Sequence, residues 1–174
     1  MWSRANLTRL SWTASRLQFI LNWWPPYALG PAIRVTSIRK DFCYAKVELP
    51  LRWYNQNYVG THFGGSLYSM CDPMYMLLLL NVLGTEFVVW DKSATIRYRQ
   101  PGTGLMTAEF EVPDAVVTSL RSLGPGETKD VDLPVDVTNA QGDVVASLVK
   151  TLYVRRKTRG AEEDQEVDHQ ERVS

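Results

Sequence analysis

The sequence predicts an α+β domain in which one antiparallel sheet curls around a single long helix. Three observations predict it. From Ser66 onward the pattern is helical, and from Met74 to Leu80 it is apolar all round, so this helix must be enclosed by protein. Strand-like alternation flanks the helix on both sides, most plainly in Phe42–Arg52 and Val131–Val137. Turn signals at Pro101-Gly102, Gly124-Pro125-Gly126 and Asn139–Asp143 cut the remainder into short segments. A helix of about 20 residues between antiparallel strands buries itself only if the sheet wraps it. At 174 residues, 45% hydrophobic and zero formal net charge, the chain can bury a core as one domain and lacks the basic excess of a nucleic-acid binder.

Taken in order, residues 1–30 read as a basic amphipathic helix and linker. The first 40 positions hold no acid, against Arg4, Arg9, Arg16, Arg34, Arg39 and Lys40. The helix covers residues 5–22, with Leu10, Leu17, Leu21 and then Trp23-Trp24 on or near one face, and Pro25-Pro26 ends it. Three readings compete: a helix docked on the sheet, an interfacial helix making peripheral membrane contact through residues 5–24, or an Arg-rich targeting segment. Residues 31–157 form the domain proper. A strand over 33–39 and a turn at Lys40-Asp41 lead into Phe42–Arg52, where Cys43, Ala45, Val47 and Leu49 share a face. After the helix, Phe87–Gln100 is a long strand with Val88, Trp90, Ala94, Ile96 and Tyr98 on one side. Leu105–Val112 is the next strand, Pro113–Leu123 a short helix, and the last strands lie on either side of the hairpin turn at Asn139–Asp143. Residues 158–174, acidic and almost without apolar side chains, read as a disordered tail.

The chemistry concentrates between Asn57 and Gly84. Asn57, Gly60, Thr61 and His62 are loop residues, and Gly64-Gly65 opens the helix with no side chain in the way. Free amides at such a start suit a carbonyl oxygen that gains negative charge during acyl transfer. Asp72 lies two turns further in, before Pro73, where apolar surroundings tune a carboxylate towards general-base work. Met74–Leu83 is too short to cross a bilayer, and the longer stretch around it contains Asp72 and Asn81. Cys43 and Cys71 stand in no metal spacing and read as buried, reduced thiols of a cytoplasmic protein. With His62 and His169 the only histidines, neither a metal site nor a Ser-His-Asp triad has material to be built from, and no cofactor is expected.

The strings NYVGTHFGGSLYSMCDPMYMLLLL (57–80) and VVWDKSATIRYRQPG (88–102) resemble the hotdog-fold acyl-CoA thioesterase superfamily, and within it the bacterial DUF4442 family. The resemblance runs from about Trp23 to Arg156. In the phenylacetate-type thioesterases of that superfamily an Asn, six residues, Gly-Gly, six residues and an Asp follow one another. Asn57, Gly64-Gly65 and Asp72 reproduce those offsets. The resemblance implies Asp72 as base or nucleophile, the Gly65 amide as oxyanion donor and Asn57 as a positioning group for water or the thioester. It brings His62 and Asp91 to the catalytic side, and Phe63, Gly64, Tyr68 and Met74 to the substrate. Phe63 stands where the superfamily usually has His, with His62 one place earlier, and Asp91 stands where some relatives carry Ser or Thr. Asp91 beside Asp72 would force one pKa up unless Lys92, Arg97 or another cation intervenes. The expected substrate is an acyl-CoA or acyl-carrier thioester, and the expected assembly a homodimer or dimer of dimers, with Asp72 of one subunit meeting Asn57 and Gly65 of the other. A non-catalytic acyl-binding or structural protein of the same fold is the alternative. His62-Phe63-Gly64 also resembles the HFPG stretch of hydroxyacyl dehydratases, but Met76 stands where their acid is expected.

Overall fold

Strands β1 (Arg34–Ile38), β2 (Tyr44–Pro50), β3 (Phe87–Tyr98), β4 (Leu105–Glu111), β5 (Thr128–Thr138) and β6 (Val144–Arg156) form one antiparallel sheet in the order β1-β2-β4-β5-β6-β3. The computed structural model describes residues 13–23 and 30–158; the readings of residues 1–12, 24–29 and 159–174, including Leu10, Trp24 and the acidic tail, lie outside the described residues. The inner face of the sheet follows from alternation. Ala45, Val47 and Leu49 of β2 stand in register with Phe110, Ala108 and Met106 of β4, all fully buried. Leu133, Val135 and Val137 of β5 continue that face opposite Lys150, Leu148 and Ala146 of β6.

The predicted central helix is present but interrupted. It comprises α2 (Gly64–Ser69) and α3 (Met74–Leu83), joined by a tight turn in which Cys71 and Asp72 donate to carbonyls three residues back. Pro73 has no amide to donate to Ser69, which accounts for the interruption. Met74, Tyr75, Leu78, Leu79 and Leu83 face the sheet, and the Tyr75 hydroxyl donates to the Pro134 carbonyl at 2.6 Å while its ring meets Phe110 edge-on. By length and composition Gly64–Leu83 is apolar enough to cross a membrane; half of it lies inside the fold.

The strand after this helix corrects one expectation. In β3, Phe87, Val89 and Asp91 stand opposite Arg156, Val154 and Leu152, then the register shifts at Lys92, and Ala94, Ile96 and Tyr98 stand opposite Lys150, Leu148 and Ala146. Directly opposed residues share a face, so Val88 and Trp90 point away from the core and Asp91 points into it. A bulge is invisible to a strict two-residue period.

Helix α1 (Ala14–Trp23) docks on β1 through buried Ala14, Leu17 and Leu21. Asn22 closes the outer side of that strand, donating to the Val35 carbonyl at 3.0 Å and accepting from its amide at 2.7 Å. Trp23, expected on or near the face of Leu17 and Leu21, is 73% exposed beside Phe19 and Ile20, while those two leucines are buried. Among the described residues the opposite edge strand, β3, pairs only with β6, and it exposes most of its second half. A short helix α4 (Asp114–Arg121) closes the far end against α3.

Candidate active site

The loop before α2 is held by its own residues. The Asn57 side-chain oxygen accepts from the amides of Val59 and Thr61 at 3.1 and 3.0 Å, and its nitrogen donates to the Thr61 hydroxyl and the His62 carbonyl at 2.9 and 3.3 Å. All four hydrogen-bonding positions of the amide are thereby used, and Gly60, at φ 81°, supplies the positive φ this turn requires. Asn57 is placed as the brace of the loop, with no polar position left over for a thioester. His62 is buried beneath it. Its Nε2 donates to the Gly104 carbonyl at 2.8 Å and its backbone amide to the Gly102 carbonyl at 2.9 Å, and among the described residues Nδ1 has no partner. Burial lowers the pKa of this imidazole, against the weaker opposite pull of the Gly104 carbonyl.

The Gly-Gly pair lies between two aromatic rings. A side chain at Gly65 would come within 2.3 Å of Phe63 Cε1, and one at Gly64 within 3.0 Å of the Tyr98 ring, whose hydroxyl donates to the Gly64 carbonyl at 3.0 Å. Among the described residues the amides of Gly64 and Gly65 donate to no acceptor. Two open clefts flank the pair. One, of about 440 Å³, is lined by Tyr54, Asn55, Phe63, Gly65, Ser66 and Ser69. The other, of about 590 Å³, is lined by Asn57, His62, Gly64, Leu67, Tyr98 and Arg99.

Asp72 sits in the turn between α2 and α3 and lines neither cleft; no hydrogen bond joins it to Asn57 or Gly65 within the chain. Its partner is Lys150, whose Nζ stands 3.0 Å from Asp72 Oδ1 and 3.0 Å from Asp91 Oδ1. The expected approach of Asp91 is therefore present, and the intervening cation is Lys150, with Lys92 turned outward to pair with Asp130. Lys150 is 1% exposed, whereas the side chains of Asp72 and Asp91 are 46% and 28% exposed. Burial pushes the Asp91 carboxyl up, with Lys150 pulling the other way and Asp72 adding to the rise. For Lys150, burial is the largest influence and favours the neutral form, yet its two carboxylates together outweigh it and hold the ammonium above its usual pKa. The half-buried Tyr68 closes the cluster: its ring centroid lies 5.6 Å from Nζ, and the neighbouring Asp72 carboxylate raises the phenol.

Sequence reasoning missed Lys150. The signal was there, since it falls in phase with Leu148, Leu152 and Val154 on the inward side of an alternating strand. Met74, expected near the substrate, is fully buried in the core. Among the described residues no three of His, Cys, Asp and Glu cluster closely enough to hold a metal.

A curved antiparallel sheet around a helix whose start carries Gly-Gly is the hotdog fold, and solved structures of that kind match most of the chain. One is a Pseudomonas aeruginosa protein of unknown function whose name suggests a thioesterase, with 19% identity, 80% of this chain and 93% of that one covered, and a TM-score of 0.69. A thioesterase from Haemophilus influenzae matches at 15% identity over 88% and 98% of the two chains with a TM-score of 0.60. A hypothetical thioesterase from Streptococcus pneumoniae, solved with coenzyme A, matches at 21% identity over 73% and 88% with a TM-score of 0.51. No curated protein matches. The chain belongs to the family described as a domain of unknown function, DUF4442, whose model matches residues 13–154.

Proposed function

We propose that this protein hydrolyses an acyl thioester carried on coenzyme A or an acyl carrier protein, with Asp72 as its base. The observation that carries the reading is the half-open Asp72 carboxylate held at the helix break above a buried ammonium, one helical segment beyond two glycine amides that have no acceptor. A neighbour solved with coenzyme A supports the choice of carrier. Asp72 takes a proton from water as its oxygen attacks the thioester carbonyl, and the resulting oxyanion is met by the Gly65 amide. When the carbonyl re-forms the C–S bond breaks, and the thiolate takes the proton back from Asp72, leaving a free acid and a thiol. Direct attack by Asp72, giving a mixed anhydride that water then cleaves, is the other route to the same products.

Because Asp72 and Gly65 share no cleft within one chain, the reading requires two copies, each giving its carboxylate to the other's loop. The outer side of β3, which pairs with no strand among the described residues and exposes Trp90 and Tyr98, supplies an edge on which a second copy can pair. A cytoplasmic, reducing setting suits the two free, buried cysteines. Screening acyl-CoAs of graded chain length by thiol release, with light scattering on the same sample, tests the reading: turnover by a dimer is expected, and turnover by a monomer removes the shared site. The alternative of a non-catalytic acyl-binding protein is favoured by one observation, the Phe63 ring packed against Gly65 where a ligand would approach. It predicts acyl-CoA binding without release of thiol.

A further inference from the structure

Lys150 is placed oddly for a stabilising ion pair. A buried ammonium with one carboxylate would be neutral, whereas this one serves two, so the cluster carries a surplus negative charge. It is also lopsided, because the cation is sealed in the sheet while both carboxylates reach solvent. Two oxygens each 3.0 Å from one nitrogen stand no more than about twice that distance apart, close enough that the two carboxylates repel one another and the cation between them offsets that repulsion. The chain also invests structure in the arrangement. The bulge at Lys92 lets β3 present Asp91 and Ala94 on the same inner face, and Pro73 breaks the helix where Asp72 must turn towards β6.

We propose that Lys150 is the positioning residue of this site: from beneath, its ammonium fixes both carboxylates at once and offsets the charge of Asp91, so that Asp72 is held in place to accept a proton. The proposal rests on the thioesterase reading for its catalytic meaning, and on the geometry alone for its electrostatic one. The titratable groups facing Nζ are Asp72 and Cys71 from the α2–α3 turn, Tyr68 from α2 and Asp91 from β3. The residues opposite Lys150 in register, Ala94 on β3 and Leu133 on β5, carry no charge. Burial holds the Cys71 thiol far above its usual range, and the Tyr68 phenol is raised too, so neither competes for the proton near neutrality.

The test uses the full-length protein with Lys150→Met, which keeps an unbranched side chain and removes the charge, and with Lys150→Met/Asp91→Asn. In Lys150→Met the acid limb of the kcat/KM profile for thiol release should move up by at least about one pH unit, with kcat falling more than KM rises. In the double variant the limb should return towards wild type, because the like charge has gone with the cation. A residue that served only to hold the sheet together would lower the melting temperature and leave the limb in place in both variants, and that result overturns the proposal. If wild type releases no thiol, the thioesterase reading fails by itself, and the inference is decided by NMR. The carboxyl carbon of Asp91 should then titrate at least about one unit higher in Lys150→Met than in wild type, and an unchanged midpoint overturns it. One readout needs no variant. In wild type the Lys150 Nζ resonance should shift with the same midpoint as the Asp91 carboxyl carbon, and a resonance that stays silent through that titration contradicts the proposal.

Discussion

The loop at 57–63 and the cluster around Lys150 solve the same problem, holding polar groups still in an apolar setting, by opposite means. The loop satisfies itself: Asn57 bonds residues two to five positions along the chain, and only the His62 side chain and amide reach out, to the Gly102–Gly104 segment. The cluster takes its three charges from the α2–α3 turn, from β3 and from β6, positions far apart in sequence. The first arrangement uses neutral hydrogen bonds, each worth about 1 kcal/mol net. The second uses charges, whose individual removal matters according to what is left unpaired. The loop is thereby a scaffold, and the cluster is where the proposed chemistry would sit.

The contrast breaks most visibly if both carboxylates are removed at once. Asp72→Asn/Asp91→Asn leaves the Lys150 ammonium buried without a counter-charge, and the unfolding free energy in urea should fall by roughly 3 kcal/mol. Either single change leaves one carboxylate on Lys150 and should cost much less. A double variant as stable as wild type would mean that the ammonium is not held by these two groups. On the loop side, Asn57→Ala should cost about 1–2 kcal/mol, with hydrolysis reduced only through a loosened loop. Loss of turnover at unchanged stability would instead give Asn57 a direct part in the reaction.

His62 sharpens the comparison through pH. Its pKa is lowered in the folded chain, so its contribution to stability is present above the ordinary imidazole value of 6.5 and is lost as pH falls from there through the lowered one. Thermal melts of wild type should show this loss and His62→Gln should not. Asp91 has the opposite sign. Its raised pKa contributes stability that is full below 3.8 and is lost as pH rises through the raised value, a window absent in Asp91→Asn. The smallest effect on stability is expected far from both regions. Replacing the exposed Phe19 and Trp23 by Ser should change unfolding by no more than about 0.5 kcal/mol. Pelleting with anionic vesicles should weaken in that variant if α1 makes the peripheral membrane contact its sequence suggests, and unchanged pelleting removes that role.

What the sequence disclosed follows the same division between local and distant. Alternation in β2 and β5, the turn at Asn139–Asp143 and the helix opened by Gly64-Gly65 are local patterns, and they are present where expected. Pro73, whose missing amide interrupts the helix after Ser69, is a local signal of the same kind. A strict two-residue period puts Val88 and Trp90 on the face of Ala94, whereas the bulge at Lys92 changes the parity of everything before it. Trp23 faces solvent because the docked side of α1 is already filled by Ala14, Leu17 and Leu21. Lys150 lies 78 residues from Asp72, and only the sheet order β5-β6-β3 puts it beneath that carboxylate.

The central claim is that Asp72 does chemistry. The direct measurement is thiol release by Asp72→Asn beside wild type, on whichever acyl-CoA wild type hydrolyses best, with urea unfolding of both proteins. Asn keeps the side-chain volume and can still accept from Lys150, while Asp91 keeps that ammonium paired. Turnover should therefore fall by roughly 10² to 10⁴ with stability little changed. Hydrolysis that survives Asp72→Asn undiminished would contradict the account.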